Sequence, residues 1–343
     1  MVNVLIAEGF SCQREVILLL RKANFFNRLR ITASHSQHRP EIFDVADSSF
    51  ILDYSKFKNS QDYVQQILDY CVESETKIVF AGKYTKQYEK MRSAFEEKGI
   101  ELFTGAIGVE NQQIIKDKMA FTVECQKLGL PVTPAVEFNS VEELQEKIAE
   151  LKPIYGQLSV KPAEGVYGYG FLELNDDISL YDQLNKQYVC RTEQFVQAYA
   201  ELEVKPKYLL MPFLSGKECS VDIACNHGEI LSKATRTKQG DHQEIQLEHE
   251  VDAVCAQLVK RFNCHGLINI QFRKDTNGVW HILEINARPA GGFAYSAAAN
   301  LNLVAHLFKS VFSEILVPCP VTNHFQVKSI SSVVRVTLPK SEA

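Results

Sequence analysis

The sequence is poor in the features that would place a protein in a membrane, outside the cell or on nucleic acid. Its longest uninterrupted apolar runs, such as Val16–Leu20, fall far short of the roughly 20 residues that a bilayer demands. Positive charge is not in excess: 37 Lys and Arg stand against 42 Asp and Glu, a formal net charge of −5. That balance speaks against general affinity for phosphate backbones or anionic lipid, so neither nucleic acid nor membrane is expected as a partner. Nine cysteines are scattered without a CxxC pair. The closest two, Cys219 and Cys225, have nothing beside them to complete a zinc site, and the set reads as reduced, mostly buried thiols in cytoplasm. No signal peptide is seen, since the N-terminus, MVNVLIAEGF, begins directly on a strand pattern. No GxGxxG follows that first strand, which speaks against a dinucleotide site. A P-loop, a GxSxG elbow, a Cys–His pattern, internal repeats and low-complexity tracts are absent as well.

What is present is an ordinary globular composition, 45% apolar over 343 residues, enough for two or three units with sizeable cores. Residues 1–105 alternate apolar strand patterns with amphipathic helical ones. Val2–Ala7 starts the series and is followed by a helix over Cys12–Ala23; Ile78–Ala81 is a later strand, followed by a helix over Tyr84–Lys98. Such alternation predicts a parallel sheet covered by helices on both faces. Ligands in these sheets sit beyond the carboxyl ends of the strands, so Gly9–Ser11 and Gly82–Tyr84 are either candidate substrate loops or plain strand-to-helix turns.

The stretch GLINIQFRKDTNGVWHILEINARPAGG, residues 266–292, carries the clearest local signal. Two apolar runs flank Asn277-Gly278, a strong hairpin dipeptide. With a two-residue turn, Thr276 faces Val279, Gln271 lands opposite Glu284, and Asn269 opposite Asn286. Glu284, Asn286 and Arg288 then share one face, and Leu283 and Ile285 face a core. A three-residue loop with a bulge would flip this register. A sheet face with a carboxylate, amide oxygens and an arginine suits a hard cation such as Mg²⁺ shared with phosphate oxygens, or else simply meets water. Asn is depleted in strands, so Asn286 in mid-strand favours the first reading.

Between these ends, the pattern predicts a helix over Asn111–Leu128, stopped by Gly129 and Pro131, and another over Val141–Leu151, stopped by Pro153. SVKPAEGVYGYGFLEL, residues 159–174, sets Lys161 before a glycine-rich loop with Gly165, Gly168 and Gly170. Backbone N–H groups in such a loop approach phosphate oxygens and a lysine adds charge, although a flexible hairpin tip reads the same way. Residues 189–202 read as a helix. Strands follow over Tyr208–Met211, Glu218–Ala224 and Ile230–Ala234, then a polar loop over Thr235–Gln246, a helix over Val251–Phe262 and, past the hairpin, a helix over Val304–Leu316. The tail, Gln326–Val336, alternates like an exposed strand that could add to a neighbouring chain and make a homodimer.

Four separated elements stand in one order: Lys118 within IIKDKMAF, Lys161 with its glycine loop, GKECSVD, and the pair INIQF and LEINARP. Over roughly residues 112–310 this resembles the ATP-grasp superfamily, to which biotin carboxylase, carbamoyl phosphate synthetase and D-alanine–D-alanine ligase belong. The resemblance implies an N-terminal Rossmann-like α/β domain (1–110) before an ATP-grasp fold of two α+β subdomains. These would be a lid subdomain (111–205) and a subdomain for nucleotide and Mg²⁺ (206–318), with a C-terminal tail (319–343). It implies that Lys118 and Lys161 contact ATP phosphates and that Glu164, Gly165, Gly168 and Gly170 belong to the loop that closes over them. Met211, Pro212, Phe213 and Leu214 would bind adenine, through the Pro212 carbonyl and the Leu214 N–H, and Glu218 the ribose. Gln271, Glu284 and Asn286 would hold one or two Mg²⁺ ions, with Mn²⁺ as a substitute, and Arg288 would steady the reacting group.

Several positions depart from the family pattern. Met211 stands where many members have glutamate, and Tyr167 and Tyr169 occupy loop positions where smaller residues are common. Gln271 replaces the acidic ligand of the peptide-type ligases and resembles the carbamoyl phosphate synthetase version. The activity implied is an ATP-dependent ligase, which activates a small-molecule carboxylate as an acyl phosphate and joins it to an amine. Bicarbonate phosphorylation and a non-catalytic ATP-binding protein are the alternatives. Under the ligase reading Arg236 or Lys233 could stabilise the tetrahedral intermediate, and His242 could take the amine proton.

Overall fold

The computed structural model describes residues 1–23, 28–163, 170–312 and 321–329. Glu164, Gly165, Tyr167, Gly168 and Tyr169 of the glycine loop therefore lie outside the described residues, as do the end of the helix expected over 304–316 and most of the expected tail strand. Contacts divide the chain into two compact units. One comprises Met1–Gln113, Cys219–Ile270 and the described residues from Ile285 on; the other comprises Ile114–Glu218 and Gln271–Glu284.

The first unit opens with five strands: β1 (Val2–Ile6), β2 (Leu29–His35), β3 (Ser48–Ile51), β4 (Thr76–Phe80) and β5 (Glu101–Phe103). They form a parallel sheet in the order β3-β2-β1-β4-β5. Continuous apolar runs such as Val4-Leu5-Ile6 suit strands buried on both faces. Leu5, Val79 and Leu102 meet the helix Ser60–Glu73 on one side, through Tyr63, Val64 and Ile67. On the other side Val4, Ile6 and Phe80 join the helix Gln13–Lys22 and share a core with Ala224, Ala234 and Leu267 of a second, antiparallel sheet. Phe293, Leu303 and Phe308 complete that core, with the Phe80 and Phe308 rings stacked 5.8 Å apart. A two-residue strand, β6 (Gly105–Ala106), follows β5 and pairs with a later strand of this unit through His265↔Gly105.

The second unit holds β7 (Val136–Phe138), β8 (Leu158–Pro162), β9 (Leu172–Leu174), β10 (Val189–Cys190) and β11 (Tyr208–Pro212), in the order β10-β9-β8-β11-β7. Phe138, Val160, Phe195, Tyr199 and Leu210 make its core. The helix expected over 111–128 is two helices, Val109–Lys116 and Lys118–Lys127. Asp117 breaks it because its carboxylate accepts from the Met119 and Ala120 N–H groups and caps the second helix. Pro153 does not stop its helix, which runs to Tyr155 and ends at Gly156, φ +71°. The segment 189–202 begins as β10, and its helix is Thr192–Ala200.

The remaining strands are β12 (Glu218–Asn226), β13 (Glu229–Gln239), β14 (His242–Gln246), β15 (Cys264–Lys274), β16 (Trp280–Asn286) and β17 (His324–Val327). Their order is β16-β15-β12-β13-β14-β17. The polar loop expected over 235–246 is instead most of a hairpin, in which Gly240-Asp241 is a two-residue turn between Gln239 and His242. The expected Asn277-Gly278 turn is a three-residue loop. Asp275 N–H donates to the Val279 carbonyl at 2.9 Å, Gly278 N–H to the Asp275 carbonyl at 3.1 Å, and Gly278 is left-handed at φ +82°. Beside the turn the expected faces are therefore reversed, and Trp280 and Ile282 are buried. The burial phase then slips by one, so that Ile285 is buried and Leu283 half-buried, with Glu284 and Asn286 half-buried on either side of Ile285.

Candidate functional site

Within the second unit, Lys118 opens its helix and reaches the end of β8, where its ammonium donates to the carbonyls of Pro162 and Ala163 at 3.1 and 3.2 Å. Those carbonyls mark the start of the glycine loop. Gly170 closes the same loop with φ +73°, and a Cβ there would fall 2.6 Å from the Pro162 ring. Lys161 sits two residues earlier on β8, half-buried, and no described residue hydrogen-bonds its ammonium. Burial lowers its pKa to about 8; the charge of Glu284 opposes the drop, and Lys118 adds to it. Two lysines thus converge at the root of one loop, an arrangement that costs free energy until an anion joins them.

The segment after β11 is equally constrained. Phe213 N–H donates to the Gln157 carbonyl at 2.9 Å, and the Ser159 hydroxyl reaches the Pro212 carbonyl at 3.4 Å. Leu214 N–H has no hydrogen-bond partner among the described residues. Gly216 explains how the chain stays close to β15: its N–H donates to the Lys274 carbonyl at 3.0 Å, and a Cβ would lie 2.6 Å from that oxygen. Arg273 donates to the Gly216 carbonyl at 3.3 Å, lies over the Phe213 ring at 5.7 Å, and stands 4.0 Å from Glu218. Met211 and Leu214 are buried, while Glu218, Gln271 and Glu284 are half-buried. The outcome is a short bridge, held at both ends, next to the half-buried Glu218.

The first unit carries a different constellation. Arg236, in mid-strand and 5% exposed, is clamped by Asp222 at 2.5 and 3.2 Å and by Gln243 at 2.8 Å. Its guanidinium lies 5.8 Å from the Tyr295 ring, and a Cβ at Gly292 would come within 2.5 Å of it. Asn269 is fully buried and donates to Asp222 at 2.9 Å, so it belongs to this cluster rather than to a half-exposed cation face. Cys12, at the start of the first helix, has its thiol raised to about 12, by burial and then by Asp222, with Arg288 acting against the rise. Lys233 is committed to Asp252 and the Leu247 carbonyl, and His242 pairs with exposed Asp241. Asn286 and Arg288 are half-buried in this unit. Gly105 sets the backbone between them, since at φ +85° its missing Cβ would lie 2.2 Å from the Ala287 carbonyl.

Both expected loops at the carboxyl edge of the parallel sheet are in this unit. Gly9 and Gly82 press together, a Cβ on Gly9 falling 2.4 Å from the Gly82 backbone. Buried Glu8 beside them accepts from Ser36 at 3.0 and 2.8 Å, from Lys83 at 3.4 Å and from Tyr54. Burial pushes this carboxyl up, but the Tyr54 and Ser36 hydrogen bonds outweigh it and hold the group below the usual range.

Comparisons with known proteins bear on this architecture. Residues 204–333 match the family described as ATP-grasp in the biosynthetic pathway with Ter operon. An N5-carboxyaminoimidazole synthetase structure from Staphylococcus aureus superposes with a TM-score of 0.64 at 13% identity, over 92% of this chain and 78% of that one. The fold is ATP-grasp. Biotin carboxylase from Campylobacter jejuni, solved with a β-γ-ATP complex, gives 0.65 at 15% identity over 94% and 74%. L-amino acid ligase from Bacillus licheniformis gives 0.61 at 16% over 90% and 74%. In this ATP-grasp chain Lys118, Lys161, Glu218, Gln271 and Glu284 fall in one compact unit, and Asp222, Asn269, Asn286 and Arg288 in the other. The sequence reading missed Asp222, Gly105, Gly216 and Arg273. Only the glycines carried a signal, and their partners are distant in sequence.

No helix among the described residues is long and apolar enough to cross a membrane. The eight described cysteines are free, and all but Cys190 are buried.

Proposed function

We propose that this protein is an ATP-dependent ligase that converts a carboxylate to an acyl phosphate and couples it to an amine, releasing ADP and phosphate. The observation that carries the reading is the Lys161 ammonium at the root of the glycine loop, which no described residue hydrogen-bonds, beside Lys118 and in the field of Glu284. In this reading both lysines meet the phosphates, and Glu164, Gly165, Gly168 and Gly170 belong to the covering loop. Met211 to Leu214 seat the adenine through the Pro212 carbonyl and the Leu214 N–H, while Glu218 takes the ribose hydroxyls. A carboxylate-bearing residue, Glu284, in the field of Lys161 is an arrangement that suits a divalent cation shared with phosphate oxygens. Gln271, Glu284 and Asn286 would hold Mg²⁺, which neutralises charge on the transferring phosphoryl group when bound. Arg288 steadies the carboxylate and then the acyl phosphate. Arg236, locked to Asp222, shapes the 288–295 segment rather than meeting substrate. The chain divides functionally into an N-terminal substrate domain (1–110), a lid (111–205), a nucleotide subdomain (206–318) and a tail (319–343).

Such a reaction needs positioning and charge neutralisation rather than a protein nucleophile, in keeping with the lack of a GxSxG or Cys–His nucleophile pattern in the sequence. A second reading is favoured by Gln271 and by the likeness to biotin carboxylase: bicarbonate takes the place of the carboxylate. ADP release from Mg-ATP against pooled amino acids, with bicarbonate in separate wells and Glu284→Ala protein as blank, separates the two. Release that needs an amino-acid pool and disappears in the blank supports the ligase. Release with bicarbonate alone supports the second reading. Tight ATP binding that survives Glu284→Ala, without turnover in any well, overturns both in favour of a non-catalytic binder.

A further inference from the structure

The first unit brings together three metal-ligating side chains that the ligase reading does not use. Glu101 lies on β5, His227 in the turn between β12 and β13, and His265 on β15. One ligand atom from each lies within 4.8 Å of the other two. His265 is fully buried, and its Nε2 stands 2.7 Å from Glu101 Oε1. Phe103, two residues from Glu101 on the same face of β5, holds the His265 ring at a centroid distance of 4.9 Å.

His227 is the informative member. With Gly228 it forms a two-residue turn between paired Asn226 and Glu229, and both residues have positive φ, +45° and +83°. Asn and Gly occupy such positions at least cost, so the turn by itself does not require a histidine. The turn is pinned to β15, since Gly228 N–H donates to the Cys264 carbonyl at 2.9 Å and His227 N–H approaches His265 Nδ1 at 3.4 Å. That anchoring lays the His227 ring against His265, with centroids 4.3 Å apart, while leaving it solvent-exposed.

We propose that Glu101, His227 and His265 form a site for a borderline divalent transition metal, best suited to zinc, with water completing the coordination. Two imidazoles and a carboxylate are a zinc-type donor set, and three protein ligands leave one position open to solvent. The ion replaces the proton shared by His265 Nε2 and Glu101. Two ligands at ~2.0–2.1 Å from a tetrahedral ion lie ~3.4 Å apart, so this pair opens by only a fraction of an ångström. The proton displaced from Nε2 passes to Nδ1, at the loss of the long contact that Nδ1 accepts from the His227 amide. Exposed His227 swings about its side-chain torsions to present a nitrogen, and the entry path is open on its side. Arg92 does not compete for Glu101, being tied to Glu89 at 2.9 and 2.7 Å.

The test is calorimetric titration of zinc into the full chain, with excess Mg²⁺ present to occupy oxygen-rich sites. The proposal expects one equivalent bound per chain. It expects the affinity to fall at least ~tenfold in both H227A, an exposed position, and E101Q, which keeps its shape and hydrogen-bonding capacity. Co²⁺ in place of zinc should give visible d–d absorption without thiolate charge transfer, and zinc should raise the unfolding temperature of the parent more than that of either variant. Failure to bind one saturable equivalent, or binding unchanged in both variants, overturns the site. Because neither variant touches the nucleotide residues, the result is independent of the ligase reading.

Discussion

Lys161 offers a direct test of whether the second unit stores free energy for an anion. Its pKa of about 8, against an ordinary 10.5, means that the folded state resists the charged form. Because the folded pKa lies below the unfolded one, the unfolded chain binds more protons between these values, and stability rises with pH across that window. Linkage places the cost of the buried charge at ~3 kcal/mol at pH 7, shrinking to ~2 kcal/mol at pH 9 and vanishing above the unfolded value. Lys161→Met keeps the aliphatic stem and removes the charge. It should therefore stabilise the second unit by up to ~3 kcal/mol at pH 7 and by less at pH 9, while abolishing ATP binding. The sole tryptophan, Trp280, is buried in that unit, so its fluorescence during urea denaturation follows this unit specifically. A variant less stable than the parent at pH 7, or a gain that does not shrink toward pH 9, would refute the argument. In the parent, the apparent KM for ATP should climb as pH passes 8, since the ammonium is then lost before the phosphates arrive.

Three further outcomes follow from the geometry. Glu284→Ala should abolish turnover with little loss of stability, because the residue is half-buried on a strand whose apolar neighbours remain; near-parental ADP release would remove it from the metal set. Arg236→Met should cost ~3–5 kcal/mol by leaving Asp222 charged and buried, and adding Asp222→Asn should recover part of that loss. Circular-dichroism unfolding of the singles and the double reads the cycle, and strict additivity would show that the pair is not coupled. Gly216→Ala places a Cβ 2.6 Å from the Lys274 carbonyl and should raise the KM for ATP at least ~tenfold by displacing the bridge proposed to seat adenine. An unchanged KM would show that the bridge does not depend on that close approach.

What the sequence disclosed, and what it hid, follows from the range of the forces involved. The alternating N-terminal elements and the order of the lysine, glycine-loop and INIQF/LEINARP motifs were legible because local periodicity and short spacing specify them. Asp117 was misread because a cap acts through one hydrogen-bonding side chain, which a helical pattern of apolar residues passes over. The 235–246 segment looked like a loop because Thr235, Arg236 and Thr237 are polar, yet all three are buried, and Asp222, fourteen residues upstream of Arg236, makes that burial affordable. In the hairpin, Asn277-Gly278 correctly marked a reversal, but Asp275 took the turn into a three-residue loop by accepting from both Asn277 and Val279 N–H. Glu284 and Asn286 still alternate about buried Ile285 only because the burial phase slips again between Ile282 and Ile285. Two local departures thus cancel on the face proposed to hold the cation, whereas the residues that hold the surrounding backbone, Gly105 against Ala287 and Gly216 against Lys274, act across long stretches of chain. A glycine can be seen in a sequence, but the atom its absent Cβ would strike cannot.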